Sequence, residues 1–118
     1  MKKHIIGITE MKELKVYIMV EILKYGPHTV LSKTIIKRTT GNITVSSFDK
    51  GEEVAINIFP FANFIQIIDG AAEIIINRKK YKLKSGEGII IPAFSKYYFK
   101  ARHQFKMIST IIKSGYED

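Results

Sequence analysis

GEEVAINIFPFANFIQIIDGAAEIIINRKKYKLKSGEGIIIPAFSKYYFKA, residues 51–101, decides the fold of this chain. Short runs rich in Val, Ile, Phe and Tyr are cut by turn residues. Val54–Phe59 breaks at Pro60, Phe64–Ile68 at Asp69-Gly70, and Ala72–Ile76 at Asn77-Arg78-Lys79. Lys80–Lys84 ends at Ser85-Gly86-Glu87-Gly88, Ile89–Ile91 stops at Pro92, and Lys96–Ala101 closes the stretch. β-Branched and aromatic side chains suit a pleated, half-buried surface, whereas Gly, Asn and Asp accept turn geometry. A turn about every 8–10 residues predicts an all-β sandwich or barrel.

The same pattern continues outward. Thr29–Arg38, a Thr39-Thr40-Gly41-Asn42 turn and Ile43–Phe48 precede the stretch, and Phe105–Lys113 follows it. The first 28 residues read differently. Thr9 can cap a helix running from Glu10, with Gly26-Pro27 as its stop, so a helix is favoured at the start. Val16-Tyr17-Ile18-Met19-Val20 suits a short buried strand equally well. No repeat, low-complexity tract or linker interrupts the chain. The reading is one domain: residues 1–28 as an N-terminal segment packing on the barrel or on a partner subunit, and residues 29–118 as the barrel.

Composition excludes several classes. The 118 residues are 46% hydrophobic, which is too apolar for a disordered chain. Zero Cys removes disulfide scaffolds, zinc ribbons, iron–sulfur sites and thiol nucleophiles. Any metal site must use carboxylates and the three histidines His4, His28 and His103. The apolar stretches Val16–Val20 and Ile89–Pro92 are far short of the ~20 residues of a membrane helix. Met1-Lys2-Lys3-His4 resembles a signal n-region, but Ile5–Ile8 is too short for its apolar partner. A cytoplasmic protein is expected. The net charge of +8 invites a nucleic-acid reading. Its densest run, however, alternates Lys80, Lys82 and Lys84 with Tyr81 and Leu83, as a strand with one wet face does. No nucleic-acid partner is expected on that ground.

Residues 51–101 carry a resemblance. Gly51, five residues, Asn57-Ile58-Phe59, three residues, Asn63, six residues, Gly70 has the spacing of the first motif of the cupin superfamily. That motif places His-X-His at 57 and 59 and Glu at 63. Gly86, five residues, Pro92 follows the second motif, with Phe94 at its second Gly, Tyr97 at its His and Ala101 at its Asn. The segment 68–74 resembles the hairpin joining two barrel strands in small cupins. The resemblance covers roughly residues 29–113 and implies a jelly-roll, double-stranded β-helix barrel with a short helical or extended N-terminal segment. In metal-bearing cupins the corresponding His and Glu residues hold one divalent ion. Here Asn57, Phe59, Asn63 and Tyr97 replace them, so neither a metal nor another cofactor is expected. Divalent ions need charged or imidazole donors to offset dehydration.

Alternation along strands places the candidate site. Asn57 and Phe59 are expected to point inward together with Asn63, Ile65, Tyr97 and Phe99. Phe105, Met107 and Ser109 can join from the last strand, with Lys106 facing water. Gln66 and Tyr98 enter if a bulge shifts the register. Two readings remain open: an aromatic pocket for a small molecule, or a barrel filled by its own side chains. Catalysis is not favoured, and no catalytic residue is assigned. Tyr97 has neither a His nor a carboxylate beside it, and Glu52-Glu53 reads as a solvated pair. A divergent cupin enzyme and a basic protein associated with nucleic acid are the alternatives. The apolar run Val16–Leu23 predicts a homodimer formed through this segment.

Overall fold

The computed structural model describes residues 3–7 and 9–115, with side chains from residue 9 onward. Residues 1–2, 8 and 116–118, the ends of the two predicted segments, lie outside the described residues, as does the side chain of His4. Nine strands follow in order: β1 Lys3–Gly7, β2 Thr29–Arg38, β3 Gly41–Phe48, β4 Glu53–Phe59, β5 Ala62–Ile76, β6 Lys79–Lys84, β7 Gly88–Ile91, β8 Ser95–Lys100 and β9 Phe105–Ile112. Among the described residues there is no α-helix, and no helix is long and apolar enough to cross a membrane.

The strands form two sheets that share β5. Sheet A runs β1-β2-β3-β9-β5-β7, and sheet B runs β4-β8-β5-β6. The all-β barrel expected from the sequence is therefore present. Its inner faces meet in one core containing Phe48, Ile65, Ile74, Ile91, Phe99 and Phe105, each 3% exposed or less. Phe48 and Phe105 stack with ring centroids 4.4 Å apart. Such pairs add about 0.5–1.5 kcal/mol beyond the area they bury.

β5 corrects the sequence reading. Asp69-Gly70 was expected to end a strand within a hairpin, but the chain continues as one strand of 15 residues. The reason is local. Gly70 takes φ +72°, and a Cβ there would collide with the carbonyl oxygen of Gln104. Glycine thus lets β5 bend and cross between the sheets, with a register shift against β9 between Ile67 and Asp69.

The N-terminal segment also differs from its expected helix. Only Met19–Glu21 makes a 3₁₀ turn. Lys3–Gly7 forms β1, which pairs in parallel with β2, and the remainder of residues 9–28 is irregular and is held on the outer face of sheet A by long-range bonds. The Met11 N–H donates to the carbonyl of Ile35, and Ser47 Oγ donates to that of Lys24. The Tyr25 hydroxyl donates to Asp69 Oδ2 at 2.5 Å. Val45, on the outer side of β3, is fully buried beneath this segment. Lys106, expected in water, is buried there too. Its Nζ donates to the Val20 carbonyl at 2.6 Å and sits 4.9 Å from the centre of the Tyr25 ring. Tertiary partners of this kind outweigh the weak helical preference of a β-branched run.

Candidate functional site

The interior end of the barrel near β4, β5 and β8 holds the residues singled out by spacing. Asn63, on β5, is 4% exposed. Its Oδ1 accepts from Ser109 Oγ on β9 at 2.7 Å, and its Nδ2 donates to the Tyr97 hydroxyl on β8 at 3.2 Å. This chain of neutral bonds satisfies buried polar groups that would otherwise be costly. The Tyr97 hydroxyl proton is not used in it. Burial pushes Tyr97 above its ordinary pKa, and the Asn63 hydrogen bond opposes that shift only in part. Tyr97 is therefore a neutral phenol at physiological pH and a poor base.

Aromatic rings cap this network. Phe59 lies edge-on to Tyr97 at 6.4 Å and to Phe61 at 5.6 Å, and Tyr97 lies edge-on to Phe99 at 5.8 Å. The Phe94 N–H donates to the Phe59 carbonyl at 2.6 Å, joining the loop after β7 to the end of β4. Phe94 has φ +63°. It stands where the second motif has glycine, so the backbone retains a glycine-like conformation while the side chain departs from it. Phe94 is 70% exposed and Ile58, next to Phe59, is 66% exposed.

Ile65, Phe99 and Met107 face inward as expected, at 0%, 3% and 6% exposure, and are packed into the core. Two candidates do not. Asn57 is exposed, and Ile56 packs on the core in its place. Between Ile56 and Phe59, β4 carries one residue more than β8, which pairs Tyr97 and Ser95 with them. This bulge changes the alternation, so Phe59 faces in while Asn57 faces out. Gln66 is also exposed, on the outer face of sheet A, because the extra residue lies on β4 and leaves β5 in phase there. Tyr98 likewise lies on the outer face of sheet B.

Sequence reasoning missed Glu52. Expected in a solvated pair, it is 7% exposed, and its Oε1 has no hydrogen-bond partner. It precedes the inward Val54 by two residues, so alternation already carried the signal. The loop position between Gly51 and β4 obscured it. His28 and His103 are exposed, as expected.

The residues at the family's ligand positions do not fit a divalent metal. Asn57 faces away, Phe59 has no donor, Asn63 is committed to two neutral bonds, and Tyr97 is neutral. Among the described residues, no three of His, Cys, Asp and Glu come together.

Two curled sheets, antiparallel apart from the parallel pair β1–β2 and sharing a bent central strand, with Gly51, Gly70 and Gly86 at positive φ, make this a cupin-fold protein. The chain is similar to a conserved protein of unknown function from Streptococcus pyogenes, with TM-score 0.84 and 28% identity over 92% of this chain and 96% of that one. It is similar in fold to a cupin superfamily protein from Desulfitobacterium hafniense, with TM-score 0.79 and 20% identity over 89% and 95% of the two chains. It also resembles a cupin 2 conserved barrel domain protein from Leptotrichia buccalis, with TM-score 0.85 and 21% identity over 91% of this chain and 51% of that one. The sequence matches no family model and no curated protein.

Proposed function

We propose that this chain is a metal-free, non-catalytic cupin-fold module that takes a small apolar or weakly polar molecule at the aromatic mouth of its barrel. The observation that supports this reading is the Ser109–Asn63–Tyr97 chain, which puts neutral, mutually bonded groups beneath Phe59. The unused Tyr97 proton supplies one donor to a ligand, and the rings supply contact area. The cysteine-free composition is compatible with work in the cytoplasm. The test is elemental analysis of the purified protein together with a thermal-shift screen of small apolar compounds. A ligand-dependent rise in Tm that Tyr97→Phe reduces is expected. Stoichiometric metal bound in the barrel overturns the reading. Absence of any shift replaces it with a purely structural or regulatory module.

A second copy of the chain is the partner we propose. Leu14, Val16 and Ile18 are 108%, 95% and 62% exposed, an apolar series that a lone chain leaves in water. Sedimentation should give twice the chain mass, and Val16→Glu should return it to one. A monomeric parent protein removes this proposal.

A further inference from the structure

The cations that look scattered in sequence are gathered by the fold. On sheet B, Glu73 pairs across strands with Lys82 on one side and Lys100 on the other, and Ile75 pairs with Lys80 and Tyr98. Paired residues share a face. The outer face of sheet B therefore presents Lys80, Lys82 and Lys84 from β6 and Lys96 and Lys100 from β8, with Arg102 just beyond. Only two carboxylates, Glu53 and Glu73, lie in the same rows. Glu73 is committed to Lys80 at 3.0 Å and Arg102 at 2.6 Å. Lys82, Lys84, Lys96 and Lys100 carry no ion pair among the described residues.

This face is neither flat nor uniformly charged. A cavity of about 440 Å³ on it is lined by Asn57, Ile75, Arg78, Lys96 and Tyr98. A second cavity of about 270 Å³, at the β5–β6 end, is lined by Glu73, Glu87, Lys82, Lys84, Arg102 and His103. An aromatic ring and a free amide beside unpaired cations match a base next to its phosphates. An acidic protein segment would use the lysines but would leave Tyr98 and Asn57 without a role.

We propose that the outer face of sheet B binds single-stranded nucleic acid. One base stacks on Tyr98 with its edge toward Asn57, and the backbone phosphates run over Lys96, Lys100, Lys82 and Lys84. Aromatic stacking combined with a basic track is how sequence-tolerant single-strand binding works. This goes beyond the barrel-mouth reading and does not depend on it, since the two sites lie on opposite surfaces of the same sheet. It reverses the expectation drawn from Lys80–Lys84 alone, because lysines from a different strand complete the patch.

The test is fluorescence anisotropy of a labelled 20-nucleotide oligo-dT or oligo-U with the whole chain, across about 50–200 mM salt. Four phosphate contacts predict a slope of about −3 in log K against log salt, at about −0.7 per contact. Lys82→Ala with Lys96→Ala should reduce that slope to about half. Tyr98→Ala should weaken binding about 5- to 100-fold with the slope unchanged. Lys12→Ala with Lys50→Ala, an equal loss of charge elsewhere, should change neither. An unchanged melting temperature in each exposed variant separates lost binding from lost fold. No binding at 50 mM salt overturns the proposal. So does equal loss from the Lys12/Lys50 variant, or equal competition by polyglutamate, which would assign the face to acidic proteins.

Discussion

The two outer surfaces of the barrel are built from one shared strand and yet differ in kind. Outside sheet A, the N-terminal segment covers Val45 and Lys106, and the uncovered part beside Gln66 carries an apolar group, Phe64, Ile90 and Ile112, at 41%, 71% and 50% exposure. Outside sheet B, nothing packs on the strands among the described residues, and the face is dominated by lysine. The difference comes from what alternates with the core residues. β3, β5 and β9 place Val45, Phe64 and Ile112 opposite their inward side chains. β6 and β8 place lysines there instead. In a barrel whose interior is packed, it is these outer residues that distinguish one side of the molecule from the other.

Breaking the connection between the sheets should have the largest effect. Gly70→Ala forces a Cβ against the Gln104 carbonyl at a left-handed φ. It should cost about 3 kcal/mol or more, read from urea unfolding, and disturb both faces together. Next, Val45→Ala should cost about 2 kcal/mol by opening the contact beneath the N-terminal segment, whereas Lys96→Ala on the opposite face should stay within about 0.5 kcal/mol. Equal effects would erase the distinction between a covered and an uncovered face. Smaller still, Phe94→Gly should stabilise the fold by about 0.5–1 kcal/mol, because φ +63° strains a Phe more than a Gly. Finally, the hydrogen bond from Lys80, followed by Arg102, holds Glu73 below its ordinary pKa, against the opposing effect of burial. That contribution is present at neutral pH and is lost as pH falls below about 4.5, the ordinary value for this group. Glu73→Gln should flatten the acid limb of the Tm–pH curve, and an unaltered limb would show that the two ion pairs add nothing to sheet B.

Much of the fold was legible because barrel strands announce themselves by alternation and by the glycines between them. β2, β6 and β9 begin and end close to where their apolar runs do. What was not legible depended on contacts distant in sequence. The bend at Gly70 reads as a turn until the Gln104 carbonyl is seen against it. The segment before residue 28 has no pattern of its own, since its conformation is set by Ile35, Ser47, Asp69 and Lys106. The site was half legible for a related reason. Asn63, Ile65, Tyr97, Phe99 and Met107 obey simple alternation, whereas one extra residue on β4 displaces Asn57. The charged face was hidden because Lys80–Lys84 and Lys96–Arg102 become neighbours only through β5.

The docking of residues 9–28 has a temporal side. These residues leave the ribosome well before their seat, which includes Lys106 and the rest of β9, ending at Ile112. At ordinary synthesis rates the intervening chain takes on the order of 5–15 s to appear. For that interval the partly covered residues Met19, Val20, Ile22 and Leu23 have no surface to lie on. The segment is thus made well before it can be placed, and while it waits its apolar side chains are open to chaperones and to aggregation.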